Sequence, residues 1–332
     1  METEKKENGI EIYAPVVIIT CNRAEHLREC VESLSRCTHA EKTEVYISVD
    51  YPPGEKYVEG WEKVKEYVTD IQGFKKVNVW IQETNLGPDA NEHFVQEKAF
   101  EKYDVLIFTE DDNVFAAAYL DYMNQMLKRF EKDPRVYSIA GFNMLNVSSP
   151  SRIYKSYTFQ PWGSGKWKDK WHYLRDLNRA EVFEKSSQRY LKIMGLYFRN
   201  KWLFCVYVSF LLKGDEAQKS RMTDAMLSLL FYLLGYYTVF PCKSLVKNNG
   251  FDGSGVTCRV GAVPELEEVE LDDEVLFRYD DQAEIPITKK WYLPIPEWAK
   301  NSARLKNDPL TYFLYCVMGK EKYLAWRKKK GI

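Results

Sequence analysis

The sequence predicts an α/β fold in which helices flank a doubly wound, mostly parallel sheet. Apolar segments of strand length alternate with helical segments four times within about 110 residues, the pattern of successive β-α units. Each predicted strand ends in a polar or glycine-bearing turn, and these turns carry Arg23, Asp50, Glu110, Asp111 and Asp112. Because open sheets of this type bind ligands at the carboxyl ends of their strands, we expect these side chains to line one binding site.

The individual elements follow from hydrophobic periodicity. Apolar runs rich in Val and Ile predict strands, whereas apolar residues at helical spacing, such as Leu27, Val31 and Leu34, predict helices. Strands are predicted over residues 15–20, 43–49, 77–81, 104–109, 136–140 and 237–240, and helices near residues 55–69, 91–101, 116–130, 168–212 and after 225.

The segment over residues 104–113 joins an apolar strand to three consecutive acids, Glu110, Asp111 and Asp112. Clustered carboxylates at a strand end are typical of a site for a hard divalent cation that bridges the phosphates of a substrate. The triplet could instead be solvated and cap a helix after Asn113. Its place among the other strand-end residues favours the cation site.

The turn after the first strand reads Cys21-Asn22-Arg23. Asn22 could cap the following helix, with Glu25 completing a capping box. Arg23 lies at a strand-to-helix turn, where a phosphate or a base would bind, so it is the stronger ligand candidate.

Two later segments are candidates for the remaining chemistry. Residues 159–167 are rich in glycine and aromatic residues but lack the ending and spacing of a P-loop, so they form either a loop that closes over a sugar or a plain surface loop. Asp224 precedes a long apolar helix, and it or Thr223 could be the N-cap. Alternatively, Asp224 is a partly desolvated general base at the floor of a pocket.

Composition excludes several classes of protein. A net charge of −1 argues against a general nucleic-acid binder, since no excess of Lys and Arg is present. The charged amino terminus does not resemble a signal peptide, and no segment reaches the ~18 apolar residues that a spanning helix needs. Seven cysteines without a Cys-x-x-Cys pair indicate reduced thiols, and hence a cytoplasmic protein.

Four of these segments together resemble the GT-A fold glycosyltransferases. They are residues 15–23, Ser48-Val49-Asp50, Thr109-Glu110-Asp111-Asp112 and residues 136–143. Over about residues 14–256, their order and spacing are similar to the inverting Golgi N-acetylglucosaminyltransferase of complex N-glycan branching and to bacterial family 2 glycosyltransferases. The resemblance implies a metal-dependent, inverting transfer from a nucleotide-sugar, a UDP-sugar, to a glycan or lipid-linked acceptor in surface polysaccharide assembly.

The resemblance also implies roles for single residues. Asp112 would bind the metal ion, Mn²⁺ or Mg²⁺, that bridges the diphosphate, and Asp224 would be the catalytic base. Asp50 would hydrogen-bond the uracil ring. The residues that would contact the donor are Asn22, Arg23, Asp50, His93, Glu110, Asp111, Trp162 and Gly163.

Two positions depart from the relatives. Met222 and Thr223 precede Asp224 where relatives often carry an aromatic residue, so spacing more than motif places the base. Residues 255–258 contain no histidine, although several relatives have one there. Either Asp112, the diphosphate and water hold the metal ion alone, or the metal binds weakly.

The predicted domains are a flexible tail over residues 1–12, a GT-A domain over 13–260 and a helical or irregular extension over 261–332. Residues 13–113 would be the nucleotide-binding half of the GT-A domain, and residues 114–260 the acceptor and catalytic half. The extension ends in Arg327, Lys328, Lys329 and Lys330. Such a basic amphipathic end can rest on the inner face of an anionic membrane, or pack its apolar face on the protein body.

Two other functions are compatible with the fold. A sugar nucleotidyltransferase begins similarly, but it requires a glycine-rich basic turn that Cys21-Asn22-Arg23 does not supply. A catalytically silent glycan-binding or scaffold protein could also keep the fold. Such a protein would show neither transfer nor hydrolysis of any donor.

Overall fold

The computed structural model describes residues 12–143, 145, 147–254, 269–288 and 309–330. Two compact units are present. The first comprises the described residues within Met1–Ser156, Gln160–Leu174 and Tyr237–Thr288, and the second those within Tyr157–Phe159, Arg175–Tyr236 and Lys289–Ile332. The predicted tail, apart from the exposed Ile12, lies outside the described residues.

The first unit is built on an eight-stranded sheet. Its strands are β1 (Val16–Thr20), β2 (Glu44–Val49), β3 (Lys76–Ile81), β4 (Val105–Glu110), β6 (Val136–Ala140), β7 (Ile153–Ser156), β8 (Ser164–Trp167) and β9 (Tyr237–Pro241). Their order across the sheet is β3-β2-β1-β4-β8-β6-β9-β7. A separate two-stranded antiparallel sheet pairs β5 (Asn113–Phe115) with β10 (Val246–Asn248).

The sheet is mostly parallel, which confirms the predicted fold class. Strands β3, β2, β1 and β4 run parallel to one another, as do β6 and β9, whereas β8 and β7 pair antiparallel with their neighbours. Every residue of β1 is buried, since helices cover the sheet and a central strand has no solvent face. This is why β1 is a continuous apolar run in the sequence.

The helices of the first unit are α1 (Ala24–Ser35), α2 (Val58–Tyr67), α3 (Pro88–Phe100), α4 (Tyr119–Phe130) and the larger part of α5 (Lys168–Asp176). Helix α3 begins at Pro88, three residues before the predicted start. Proline fits the first turn of a helix because an N–H group there would have no hydrogen-bond partner within the helix. Its buried Val95 and Phe100 pack with Val17 and Phe108 of the sheet. Helix α3 therefore covers β1 and β4, and β4 ends at the acidic triplet.

The glycine-rich segment over residues 159–167 differs from its prediction. Its second half is β8, a buried strand between β4 and β6, and not a loop. A Cβ on Gly165 would lie 3.0 Å from both Leu127 and Met123 of α4, so glycine lets that helix pack closely against the strand. The sequence hides this strand because Ser-Gly-Lys-Trp lacks β-branched residues.

The acidic segment over residues 269–288 is part of the first unit. The Asp272 amide donates to the Ser244 carbonyl over 2.8 Å, and Arg152 pairs with the Asp272 carboxylate at 3.0 Å. Further along, the buried Phe277 donates its amide to Asp121 over 2.8 Å. These contacts hold this part of the predicted extension against the sheet domain.

The second unit is helical. Its helices are α6 (Arg179–Ser187), α7 (Tyr190–Arg199), α8 (Lys201–Lys213), α9 (Asp224–Leu234), α10 (Pro309–Met318) and α11 (Lys320–Lys330). Helix α8 is buried almost throughout and packs with α9 and Tyr312 of α10 in one apolar core. Among the described helices, none is long and apolar enough to cross a membrane.

Candidate functional site

The acidic triplet lies where β4 ends, beside the end of β1. Ile19 of β1 is in register with Glu110, the last residue of β4, so Asp111 and Asp112 follow immediately beyond the paired strands. The side chains of Asp111 and Asp112 are almost completely buried. A short strand, β5, follows the triplet, which excludes the alternative that these acids cap a helix.

Both carboxylate oxygens of Asp111 are hydrogen-bonded. Arg23, from the turn after β1, donates to Oδ1, and the Thr20 hydroxyl donates to Oδ2 over 2.7 Å. Thr20 is the last residue of β1, so adjacent parallel strands supply both the acid and its partners. This geometry fixes the orientation of Asp111.

Asp112 is held by the same arginine and by a segment distant in sequence. Arg23 Nη2 lies 2.9 Å from Asp112 Oδ2, and Asn248 Nδ2 donates to Oδ1 over 2.9 Å. The Asn249 amide donates to the Asp112 backbone carbonyl over 2.8 Å. The turn after β10 therefore closes over Asp112.

Close packing of this turn depends on Gly250. A Cβ placed there would lie 2.2 Å from Asp112 Oδ2 and 2.9 Å from its Cγ. We expect Gly250→Ala to displace the Asp112 carboxylate and to lower the free energy of unfolding by about 1–3 kcal/mol, the usual cost of overpacking. Chemical denaturation measures this effect. Gly54→Ala is the matched control, because nothing lies within 4 Å of a Cβ there, and equal stability of the two variants would contradict the packing argument.

The site carries more negative than positive charge. Burial opposes the charge on Arg23, but the carboxylates of Asp111 and Asp112 outweigh it and raise the pKa of Arg23 above its ordinary value. Burial also raises the pKa of Asp111, an effect that Arg23 opposes and Asp112 strengthens. Two carboxylates thus share one guanidinium, which leaves room for a further cation.

The neighbouring Cys21 shows how far the negative field extends. Burial, together with the carboxylates of Asp50 and Asp111, raises the pKa of Cys21 to about 11. The thiol is therefore protonated at neutral pH and is not a nucleophile.

Asp50 lies directly after β2 and organises the loop before α3. Its Oδ1 accepts from the Leu86 amide over 2.8 Å, and its Oδ2 accepts from the Gly87 amide over 2.9 Å. Gly87 has a φ of 76°, a left-handed conformation that glycine adopts without strain. The contact of Asp50 with a uracil ring stays a prediction. The structure shows in addition that Asp50 positions the loop before α3.

Trp162 and Gly163 lie next to the turn over Asp112. The Trp162 ring is 5.8 Å from the ring of Phe251, which belongs to that turn, and 4.9 Å from the ring of Phe142. Gly163 has a φ of 61°, and a Cβ there would lie 2.7 Å from the Tyr119 hydroxyl. Both residues are thus fixed by packing near the acidic pair.

The other predicted residues have different surroundings. Asn22 does not cap α1, because the N-cap residue is Arg23, and Arg23 makes no side-chain capping bond. A Cβ on Gly60 would meet the Asn22 carbonyl at 2.2 Å, so α2 packs tightly against this turn. His93 is half-buried on α3. It makes none of the described contacts to Asp111 or Asp112.

Asp224 belongs to the second unit. It is the first residue of α9, and the Thr223 hydroxyl caps that helix by accepting from the Met226 amide over 3.3 Å. The structure therefore confirms the cap at Thr223. Asp224 is exposed, so the expected partial desolvation is not found, and its role as a base stays a prediction.

Comparison with known proteins assigns the family. The family model described as glycosyl transferase family 2 matches residues 16–187, just over half of the chain. The chain belongs to glycosyl transferase family 2. This family 2 glycosyltransferase matches none of the curated proteins compared with it.

Solved structures that are similar to this family 2 glycosyltransferase include two of TarS from S. aureus. The first is 16% identical with a TM-score of 0.33, covering 47% of this chain and 28% of that one. The second, TarS 1–349 in complex with UDP-GlcNAc, is 15% identical with a TM-score of 0.32, covering 46% and 45%. The chain thus spans less than half of either. The mannosyltransferase PcManGT from Pyrobaculum calidifontis, in complex with GDP-Man and Mn²⁺, is 13% identical with a TM-score of 0.36, covering 67% and 70%.

The residues of the glycosyltransferase fit a divalent cation of the Mg²⁺ or Mn²⁺ type. Asp111 and Asp112 provide hard oxygen donors with an uncompensated negative charge. Within the described ranges, no cluster of three His, Cys, Asp or Glu residues could hold a metal ion. Such a cation would therefore be held through Asp112, substrate phosphates and water, and Arg23 would have to share that carboxylate.

Sequence reasoning missed three residues that contact the acidic pair. Thr20 holds Asp111, Asn248 holds Asp112, and Gly250 allows the turn to close over it. The position of Thr20 at the end of the first strand was a usable signal. Asn248 and Gly250 belong to residues 248–255, whose glycines and asparagines indicate a tight loop. Nothing in the sequence places that loop against residues more than a hundred positions earlier.

Proposed function

We propose that this family 2 glycosyltransferase transfers a sugar from a UDP-sugar to a glycan or lipid-linked acceptor, with inversion at the anomeric carbon. The observation that carries the proposal is the buried pair Asp111 and Asp112, held by Arg23 at the carboxyl ends of β1 and β4. In an open α/β sheet this is the edge that binds nucleotides.

The donor would bind across the ends of the first strands. The diphosphate needs positive charge, which a divalent cation on Asp112 would supply together with Arg23, whose own charge Asp111 and Asp112 already share. When bound, that cation would stabilise the charge that develops on the leaving diphosphate. Asp111 and Glu110 would accept hydrogen bonds from ribose and sugar hydroxyls.

Several other residues would complete the donor site. Asp50 orients the backbone before α3 and would face the base. Asn22 and His93 would contact the donor as well. Trp162 and Gly163, which are packed beside the turn over Asp112, would line the sugar. The aromatic face suits the apolar side of a pyranose ring.

Asp224 would act as the general base. Its carboxylate would take the proton of the acceptor hydroxyl while the oxygen lone pair forms a bond to the anomeric carbon. The bond between that carbon and the diphosphate oxygen breaks on the opposite face, so the nucleoside diphosphate departs with the electron pair. We place this reaction in surface polysaccharide assembly at the cytoplasmic face of a membrane.

A thermal-shift panel tests the donor assignment. The chain is heated with UDP-, GDP- and dTDP-sugars, each with and without Mn²⁺, and we expect a metal-dependent rise in melting temperature with a UDP-sugar. A ligand at about a hundred times its Kd stabilises the folded state by about 2.7 kcal/mol. A rise with GDP- or dTDP-sugars alone would reassign the nucleotide, and no rise with any donor would favour a silent scaffold.

A further inference from the structure

Helix α10 has two apolar faces, of which only one is covered within the described part of the second unit. Tyr312 and Tyr315 are buried, and Tyr312 donates to the Ser187 carbonyl over 2.8 Å. On the other side Leu310, Phe313 and Val317 are 60%, 47% and 67% exposed. Because these three recur at helical spacing, they form one exposed apolar stripe, which we call the α10 stripe.

Helix α7 adds exposed apolar side chains in the same unit. Leu191 is 86% exposed and Phe198 is 80% exposed, and they lie seven residues apart on that helix. The Tyr190 ring stacks on the ring of Tyr312 at 5.7 Å, so the first turn of α7 adjoins α10. Exposed apolar surface of this extent usually marks an interaction site.

Helix α11, which follows α10 in the chain and contacts it through the rings of Tyr315 and Tyr323, is strongly basic. Helices α10 and α11 contain six basic residues and one acidic residue, whereas the whole chain has a net charge of −1. Four of the basic residues, Arg327, Lys328, Lys329 and Lys330, form the end of α11. In the described structure none of these four is in an ion pair, and Tyr323, which is buried, anchors the helix that carries them.

We propose that the α10 stripe and the basic end of α11 dock this glycosyltransferase on an anionic lipid bilayer. Apolar side chains that insert between lipids, flanked by Lys and Arg that attract anionic headgroups, are the two requirements of an interfacial helix. A second copy of the chain is a poorer occupant, because its own basic helix would meet this one and like charges repel. The inference rests on the proposed function in one respect: a lipid-linked acceptor would lie in the same bilayer surface.

Vesicle flotation of the full chain tests this proposal. We expect at least about tenfold stronger binding to phosphatidylcholine vesicles that contain about 30 mol% phosphatidylglycerol than to pure phosphatidylcholine, and release by about 0.5 M NaCl. The stripe variant Leu310→Ser/Phe313→Ser/Val317→Ser should lose at least about tenfold in binding. The charge variant Lys328→Gln/Lys329→Gln/Lys330→Gln should lose a similar factor.

The control variant is Val58→Ser/Val275→Ser, which removes two exposed apolar side chains from the first unit and should bind as the unchanged chain does. Circular dichroism checks that every variant is folded. Equal binding to both kinds of vesicle, or unchanged binding of the stripe variant, would overturn the proposal. So would a concentration-dependent dimer that the stripe variant abolishes. The donor panel, run without vesicles, reports on the proposed function separately.

Discussion

Arg23→Gln is expected to lower the free energy of unfolding by roughly 3–5 kcal/mol, the usual cost of removing one partner of a buried ion pair. The side chain of Arg23 is 18% exposed, and those of Asp111 and Asp112 are 4% and 7% exposed. Without the guanidinium, two adjacent carboxylates remain buried with only hydroxyl and amide donors. Urea denaturation at neutral pH measures the loss.

The loss should depend on pH. The pKa of Asp111 in the folded protein lies above its ordinary value, so stability from this group is present at low pH and is lost as the pH rises through the folded pKa. Removing Arg23 removes the charge that opposes this rise, and the folded pKa should increase further. We therefore expect the variant to be closer to the wild type at about pH 5 than at about pH 8.

Arg28→Gln is the matched control for this variant. Arg28 lies on α1, the helix that begins directly after Arg23. It is 47% exposed and lies 3.8 Å from the exposed Glu25, so its removal should cost less than about 1 kcal/mol. Similar losses for the two arginine variants would contradict the assignment of Arg23 as the counter-charge of the acidic pair. A loss for Arg23→Gln that does not change with pH would also contradict it.

Asp224→Asn is expected to lower kcat by about 10²–10⁴-fold, the range for loss of a general base, with the KM of the donor nearly unchanged. Asp224 lies in the first turn of α9, where the interaction of a negative charge with the helix dipole stabilises the helix by about 0.3–1 kcal/mol. The stability of the variant should therefore change little, which separates a catalytic role from a structural one. Release of the nucleoside diphosphate in the presence of acceptor measures the rate.

Asp215→Asn is the control for this measurement, because Asp215 is also an exposed acid at a helical turn of the second unit. Its rate should equal that of the unchanged enzyme. If Asp224→Asn also retained the full rate, another residue would have to be the base.

Sequence patterns predicted the first four strands of the sheet well. Strands β1 to β4 are confirmed because their apolar runs are long enough to identify and because turns bound them on both sides. The rule that ligand-binding residues lie at the carboxyl ends of the strands correctly predicted that Arg23 lies close to Asp111 and Asp112. These contacts join neighbouring strands, which explains why periodicity and topology were sufficient.

The missed features depend on tertiary contacts that leave no local pattern. Strand β8 is stable because Gly165 fits under α4, and no strand propensity in its own sequence indicates this. Asn248 contacts Asp112 across 136 positions of sequence, a contact that only the pairing of β5 with β10 creates. The alternative that Asn22 caps α1 is excluded because the helix begins one residue later, with Arg23 as the N-cap residue and its guanidinium bonded to the acids.

Mn²⁺ titration followed by electron paramagnetic resonance tests most directly whether Asp112 links a divalent cation to a UDP-sugar. We predict weak binding of Mn²⁺ to the chain alone, at least about tenfold tighter binding with UDP present, and loss of that gain in Asp112→Asn. Asp215→Asn, which alters an exposed acid of the second unit, should keep the gain. Mn²⁺ binding that is the same with and without UDP, or the same in the Asp112→Asn variant, would contradict the account.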